Sequence, residues 1–181
     1  ALPTSVIGTL GIGLFKNGVC NDFEITGYTT PDPVQLQRSL AGQKRQGSQA
    51  LAIEASSIGL DQGRLNGLHI DVAVLTNFTR DHLDYHGDMA AYEAAKARLF
   101  VWPGLTHAVL NLDDAFGMRL LAQLRAHSPA TRVTAYSVTG ASAEGVAMLS
   151  ASDIRMNQQG TVFQLSTPFG SGPVRTQLVG S

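Results

Sequence analysis

Cysteine is nearly absent. Cys20 is the only one in 181 residues, which excludes an intramolecular disulfide and fits a reducing cytoplasm. Charge is scarce too: charged residues are 15% of the chain, and 13 basic against 14 acidic side chains leave a net charge of -1. No basic stripe advertises nucleic acid, and no basic amphipathic helix advertises a membrane surface. No apolar stretch reaches the roughly 18 residues of a membrane span, and no signal-peptide pattern opens the sequence. An initiator Met is also missing. The opening "ALPTSVIGTLGIG" runs straight into strand-like sequence, and we read it as the interior of a larger protein. Signature loops are lacking as well. "GTLGIG" is not G-x-G-x-x-G despite Gly8, Gly11 and Gly13, and no G-x-x-x-x-G-K-[ST] phosphate cradle occurs. Neither G-x-S-x-G nor H-E-x-x-H is present, which removes the commonest serine-hydrolase and zinc-protease signatures.

What is there is a globular composition, 44% hydrophobic, in a length that most simply reads as one domain. Short, nearly continuous apolar runs at Ser5 to Leu10, Gln49 to Ile53, Asp71 to Leu75, Thr106 to Leu110 and Arg132 to Tyr136 suit strands buried on both faces of a parallel sheet. Helical patterns lie between them: Pro33 to Gln46 behind an Asp32 cap, Met89 to Phe100 behind Asp88, and Asp114 to Ala126. This alternation predicts an α/β fold, a doubly wound and mainly parallel sheet with helices on both faces, over residues 1–141. From about Ser142 the texture turns to polar–apolar alternation, with turn chemistry at Asn157–Gly160 and Pro168–Pro173. Residues 142–181 therefore read as an appended antiparallel hairpin or meander.

Titratable groups gather at the expected strand ends. "QALAI" runs into Glu54-Ala55-Ser56-Ser57, "DVAVL" into Thr76-Asn77, and "THAVL" into Asn111-Leu112-Asp113-Asp114. Ligands of open parallel sheets sit beyond the carboxyl ends of the strands, so three polar clusters in one sheet suggest a site. Glu54 follows four mainly apolar residues, where a buried carboxylate is costly unless it is paired, metal-bound or satisfied by Ser or backbone donors. In "TNFTRDHLDYHGD", His82 and His86 stand four apart with Asp81, Asp84 and Asp88 nearby. A mixed oxygen and imidazole set suits Mg²⁺ or Mn²⁺ better than a structural zinc. Equally, Asp81 and Asp84 can cap turns while His86 is solvated. Lys96, three residues after Glu93, by itself reads as half of a surface ion pair.

Taken together, "TTPDPVQLQ", "EASSIGLDQGRL", "TNFTRDHLDYHGDMAAYEAAKARLF" and "LNLDD" resemble, in order and spacing, the Mur ligases. Within them they look most like the branch that adds a third peptide residue to a UDP-muramoyl-dipeptide. "SVIGTLGIG" resembles the family's strand after its phosphate-loop helix, and "TQLVGS" the run before its "FN" motif, so the likeness covers essentially the whole chain. The resemblance implies most of a central ATP-binding domain, without the phosphate loop, the N-terminal UDP-binding domain or the C-terminal domain. It implies cytoplasmic, Mg²⁺-dependent amide formation from ATP, the UDP-muramoyl-dipeptide and an amino acid, diaminopimelate or lysine, through an acyl phosphate. Glu54 and His82 match the family's magnesium ligands, and Lys96 matches the lysine it carbamylates. Thr29, Thr30, Ser56, Gln62 and Arg64 match contacts to the muramoyl-dipeptide, and Asn111 and Asp114 the border of the adenine pocket. Asn77 carries no assigned role. Asp81, Asp84 and His86 are then expected to shape the loop. Tyr28 and Ile58 depart from the Asn and His of some relatives. Outside the resemblance, two readings stay open: a metal-dependent phosphoesterase built on Glu54, Asp81, His82 and His86, and a non-catalytic nucleotide-binding module.

Overall fold

The computed structural model describes residues 2–178; Ala1 and the Val179 to Ser181 end of the "TQLVGS" motif lie outside the described residues. The chain divides into two compact units, Ala1–Leu68 with His82–Leu99, and His69–Asp81 with Phe100–Ser181.

The first unit holds a four-stranded sheet. Strand β1 (Thr4–Gly8) pairs antiparallel with β2 (Gly11–Lys16), which pairs antiparallel with β3 (Val19–Glu24). On its other side β1 takes β4 (Ala50–Ile53) in parallel, with Ile7 opposite Ile53. Helix α1 (Pro33–Arg45) makes the crossover between them. Asp32 caps it as expected, its Oδ1 accepting from the backbone N–H groups of Val34 and Gln35 at 2.9 and 3.0 Å, with Pro33 in the first turn. Two short helices follow, α2 (Ser57–Asp61) and α3 (Leu83–His86), and then α4 (Met89–Ala97), capped by Asp88. The regular α-helix stops at Ala97 and tightens into a 3₁₀ turn over Arg98–Val101, where an α-helix to Phe100 is expected. Ile7, Ile12, Leu36, Leu60, Leu65 and Tyr92 are buried, each worth about 1.5–3 kcal/mol of transfer from water.

The second unit holds a six-stranded sheet. Strands β5 (Val72–Leu75), β6 (His107–Asn111), β7 (Arg132–Ser137) and β8 (Ala147–Asn157) are parallel and lie side by side in sequence order. Strands β9 (Gly160–Thr167) and β10 (Gly170–Thr176) then continue the sheet antiparallel, as the C-terminal alternation predicts. Pro173 sits in β10, at the sheet edge, where a missing donor is tolerated. Helix α5 (Ala115–His127) presents Phe116, Leu120, Leu121 and Leu124 to the core that also takes Ala108, Leu110 and Ala135.

The α/β class with parallel strands and an antiparallel C-terminal part is as expected, and three details differ. The parallel strands fall in two hydrogen-bonded sheets, so the β4 end lies in one sheet and the β5 and β6 ends in the other. The β2–β3 hairpin is additional; it turns on Asn17 and Gly18, both at positive φ, the two-residue turn that matches strand twist. Finally, the apolar runs are not buried on both faces throughout. Val72 and Val74 of β5 are each 51% exposed while Ala73 and Leu75 are buried, so only one face of this strand is packed.

Candidate functional site

In the first unit, six of the expected site residues lie on the segments that follow β3 and β4, while His82 stands at the start of α3 and Lys96 lies on α4. Glu54 directly follows β4. It is exposed, not buried as its apolar lead-in suggests. Its Oε2 accepts two hydrogen bonds from Thr9, from the backbone N–H at 2.8 Å and from Oγ1 at 2.7 Å. So the carboxylate is held by threonine and backbone donors. Among the described residues no hydrogen bond reaches its Oε1.

The segment carrying Thr29 and Thr30 is stitched to the β4 end. Thr30, buried, donates from Oγ1 to the Glu54 carbonyl at 2.7 Å and accepts from the Ser56 N–H at 3.0 Å. Ser56 caps α2, its Oγ accepting from the Gly59 N–H at 3.0 Å. A short helix therefore starts where the sequence alone shows only a polar cluster. Arg64 points its guanidinium into the same group: Nη1 donates to the Thr30 carbonyl at 2.8 Å, while Nε and Nη2 both donate to Gln62 Oε1 at 2.9 and 2.7 Å. Both donors converge on one amide oxygen, so Gln62 occupies the fork that could otherwise give two parallel bonds to the two oxygens of a carboxylate. Gln62 in turn donates to the Tyr85 hydroxyl at 3.3 Å, and that hydroxyl donates to Asp61 at 2.9 Å.

His82 precedes α3 in the left-handed region, at φ 53, as a helix-entry residue with no capping bond from its side chain. Its ring meets Tyr92 edge-on at 5.9 Å, and the Lys96 ammonium lies 5.4 Å from the centre of that same ring. Tyr92 is four residues before Lys96 on α4, so both face one side of the helix. The structure thus brings His82 and Lys96 to one aromatic plate. His86 is half-buried, stacked on Tyr92, and its Nε2 lies 2.9 Å from the Oγ of buried Ser57. It is a tether, not a solvated loop residue; Asp81 and Asp84 are exposed.

Among the described residues no group of three or more His, Cys, Asp or Glu side chains is arranged to hold a metal ion. That removes the geometric basis of the phosphoesterase reading, which needs Glu54, Asp81, His82 and His86 together. A cation site that used Glu54 and His82, as the resemblance implies, would have to take its third ligand from another residue type. The donor types would suit a hard cation: a carboxylate oxygen with no hydrogen bond among the described residues, an imidazole, and a lysine that would become an anionic oxygen ligand if carbamylated.

In the second unit the ends of β5, β6 and β7 are tied together by side chains. Asn111 donates to the Thr76 carbonyl at 2.8 Å and accepts from the Asp113 N–H at 2.9 Å. Asp114 caps α5 through Phe116, at 2.9 Å, and also accepts from the Phe78 N–H. Both residues expected at the adenine border are thus held in place by their own polar bonds. Asn77, between Thr76 and Phe78 in the sequence, is exposed. The Tyr136 hydroxyl shares its one proton between the carbonyls of Leu75 and Thr76, at 3.1 and 3.0 Å. Burial, and then the nearby Asp113 and Asp114 charges, push its pKa above the usual 10.0, so it stays a neutral donor. Asp113 takes bonds from Ser137 Oγ, Thr139 Oγ1 and the Val138 N–H. Sequence reasoning missed Thr9, Tyr92 and Tyr136, and gave Ser57 a place in a polar cluster but no role of its own. Of the three missed, only Thr9 carries a local signal, a hydroxyl straight after a strand.

No helix among the described residues is long and apolar enough to cross a membrane. Comparison with known proteins puts this geometry in context. The chain is 61% identical over 178 residues to the UDP-N-acetylmuramoyl-L-alanyl-D-glutamate–2,6-diaminopimelate ligase of Janthinobacterium sp. (strain Marseille), covering 98% of the chain and 35% of that protein. It is 49% identical over 179 residues to the ligase of the same name from Ralstonia nicotianae (strain ATCC BAA-1114 / GMI1000), covering 97% and 33%. The chain thus spans about a third of the length of the curated relatives it matches. A solved structure of a protein of that name superposes with a TM-score of 0.83 at 38% identity, over 99% of this chain and 34% of the other. The apo form of L. casei FPGS, at 15% identity and TM-score 0.66 over 99% of this chain and 47% of the other, shares the fold. The family model for the Mur ligase middle domain matches residues 1–181, and the chain belongs to that family.

Proposed function

We propose that this chain is the central part of an ATP-dependent amide ligase that joins 2,6-diaminopimelate to UDP-N-acetylmuramoyl-L-alanyl-D-glutamate, a cytoplasmic step of peptidoglycan synthesis. The observation that carries this reading is the 61% identity, over 178 residues, to a ligase of that name. The sequence motifs alone leave diaminopimelate and lysine open; the names of the relatives favour the former.

The chemistry runs in two steps. A carboxylate oxygen of the muramoyl-dipeptide attacks the γ-phosphorus of ATP, and the bond to ADP breaks to leave an acyl phosphate. The amine of the incoming amino acid then attacks the acyl carbon, expels phosphate and loses a proton as the amide forms. The opposing problem is electrostatic, since two anions have to meet. Glu54, His82 and Lys96, the last as a carbamate, are the residues that would hold Mg²⁺. A bound ion would offset the repulsion between carboxylate and triphosphate and neutralise charge on the transferring group. Unmodified, the Lys96 ammonium would repel that ion; adding CO₂ to the neutral amine, with loss of a proton, reverses the sign of the side chain. Arg64 has the fork for a carboxylate, and would exchange its hold on Gln62 Oε1 for the two oxygens of that group. With Thr29, Thr30, Ser56 and Gln62 it would orient the muramoyl-dipeptide. Asn111 and Asp114 would border the adenine.

The test is direct. The full-length protein, given Mg-ATP and the UDP-muramoyl-dipeptide, is expected to release ADP and phosphate and form the tripeptide with diaminopimelate, but not with lysine. Turnover with neither amino acid would overturn the proposal.

A further inference from the structure

The turn between β1 and β2 holds a residue to which no role has been assigned. Thr9 occupies a two-residue turn in which Gly8 pairs with Gly11. It gives both of its donors to one oxygen, Oε2 of Glu54, and its hydroxyl also lies 2.9 Å from the hydroxyl of Thr29. We propose that Thr9 is a positioning residue that sets the presentation of Glu54 and the hydrogen-bonding polarity of Thr29. This rests on the reading of Glu54 as a cation ligand and of Thr29 as a substrate contact.

A hydroxyl has one proton. A carboxylate is an acceptor only, so the proton of Thr9 Oγ1 is spent on Glu54. In the remaining contact Thr29 is therefore the donor, and the chain of bonds runs one way, from Thr29 to Thr9 to Glu54. Two consequences follow. Thr29, its proton committed, meets a ligand with lone pairs alone, so it selects an N–H or O–H group, such as the amide of a peptide or the hydroxyl of a sugar. A phosphate or carboxylate oxygen at the same place meets only repulsion.

The second consequence concerns the carboxylate. Both Thr9 bonds fall on Oε2, so anionic density on Oε1 is left for a cation. The carboxylate lies against Gly8, where a Cβ would come within 2.7 Å of Glu54 Cδ and 2.9 Å of Oε1. The missing side chain at position 8 leaves the room, and the double donation from Thr9 fixes which oxygen faces away. Residues that hold a metal ligand from behind in this way commonly govern affinity as strongly as a weak ligand does.

The experiment compares Thr9→Val, Thr9→Ser and Glu54→Gln in the full-length protein. Mn²⁺ binding is followed by electron paramagnetic resonance titration of the protein alone, and UDP-muramoyl-dipeptide binding by calorimetry without metal. Thr9→Val keeps the shape and the backbone N–H but removes the hydroxyl. It is expected to weaken Mn²⁺ binding about tenfold and to weaken dipeptide binding as well, while Thr9→Ser restores both. If Thr9→Val binds both probes like the parent while Glu54→Gln loses Mn²⁺, Thr9 has no positioning role although Glu54 remains a ligand. Equal losses in Thr9→Val and Thr9→Ser would mark a packing role and also overturn the proposal. If Glu54→Gln binds Mn²⁺ unchanged, the reading beneath it fails, and the Thr9 proposal falls with it.

Discussion

At the scale of single residues, much of the polar chemistry secures chain ends. Asp113 illustrates this. Desolvation is the largest single influence on its carboxyl and raises the pKa, yet the bonds from Ser137, Thr139 and the Val138 and Thr139 backbone together outweigh it. The net result is a pKa below the ordinary 3.8. A carboxyl whose folded pKa is depressed adds stability that is present above its unfolded value and is lost as pH falls through the folded one. Asp113→Asn is therefore expected to lower the urea midpoint at neutral pH, with the gap to the parent closing below about pH 4. A gap independent of pH would show that charge at this position is irrelevant. The same scale shows where sequence reading stops. Glu54, His82 and Lys96 are singled out by motif likeness, but the donors that orient them come from far along the chain. Thr9 is 45 residues from Glu54, and Ser57 is 29 from His86. No local pattern of residues encodes such pairs; only the topology creates them.

Elements were more legible than contacts. Asp32 and Asp88 cap α1 and α4 as their sequence positions indicate, and Asp114, expected as the first residue of its helix, caps α5, because the capping bond is made within three residues and needs no tertiary help. The β2–β3 hairpin is also marked locally, by the Asn17–Gly18 dipeptide. It is missing from the strand pattern because Lys16, Asn17, Asn21 and Asp22 break the apolar run. Helix α2 is too short to show a periodicity. One element depends on a contact finer than any pattern. A Cβ at Gly117, in the first turns of α5, would sit 1.8 Å from the carbonyl oxygen of Asn111 at the end of β6. Alanine in place of glycine gains up to about 1 kcal/mol of helix propensity, but a clash with backbone cannot be relieved by a rotamer change. Gly117→Ala is expected to destabilise by a net 2–3 kcal/mol or so, read from urea unfolding. Unchanged or increased stability would mean that α5 shifts freely on its strand.

For the whole molecule, the sequence contains no G-x-x-x-x-G-K-[ST] loop, so nothing in it provides the usual backbone cradle for β- and γ-phosphates. The 181-residue chain alone is expected to release no ADP from Mg-ATP above the buffer rate, under conditions where the full-length protein does. Steady release by the chain alone would show that these residues grip the triphosphate by other means.

Among the described residues β4 and β5 each stand at the end of a hydrogen-bonded sheet, and this has a practical outcome of its own. Both strands end their sheets, β5 presents Val72 and Val74 outward, and neither strand carries a charge. Such a border offers its unused backbone donors and acceptors to any extended polypeptide that comes near. Colloidal behaviour therefore hinges on these eight residues: solubility of the isolated chain should fall as it is concentrated, and Val74→Lys, on the outward face, should raise it while Ala73 and Leu75 stay packed.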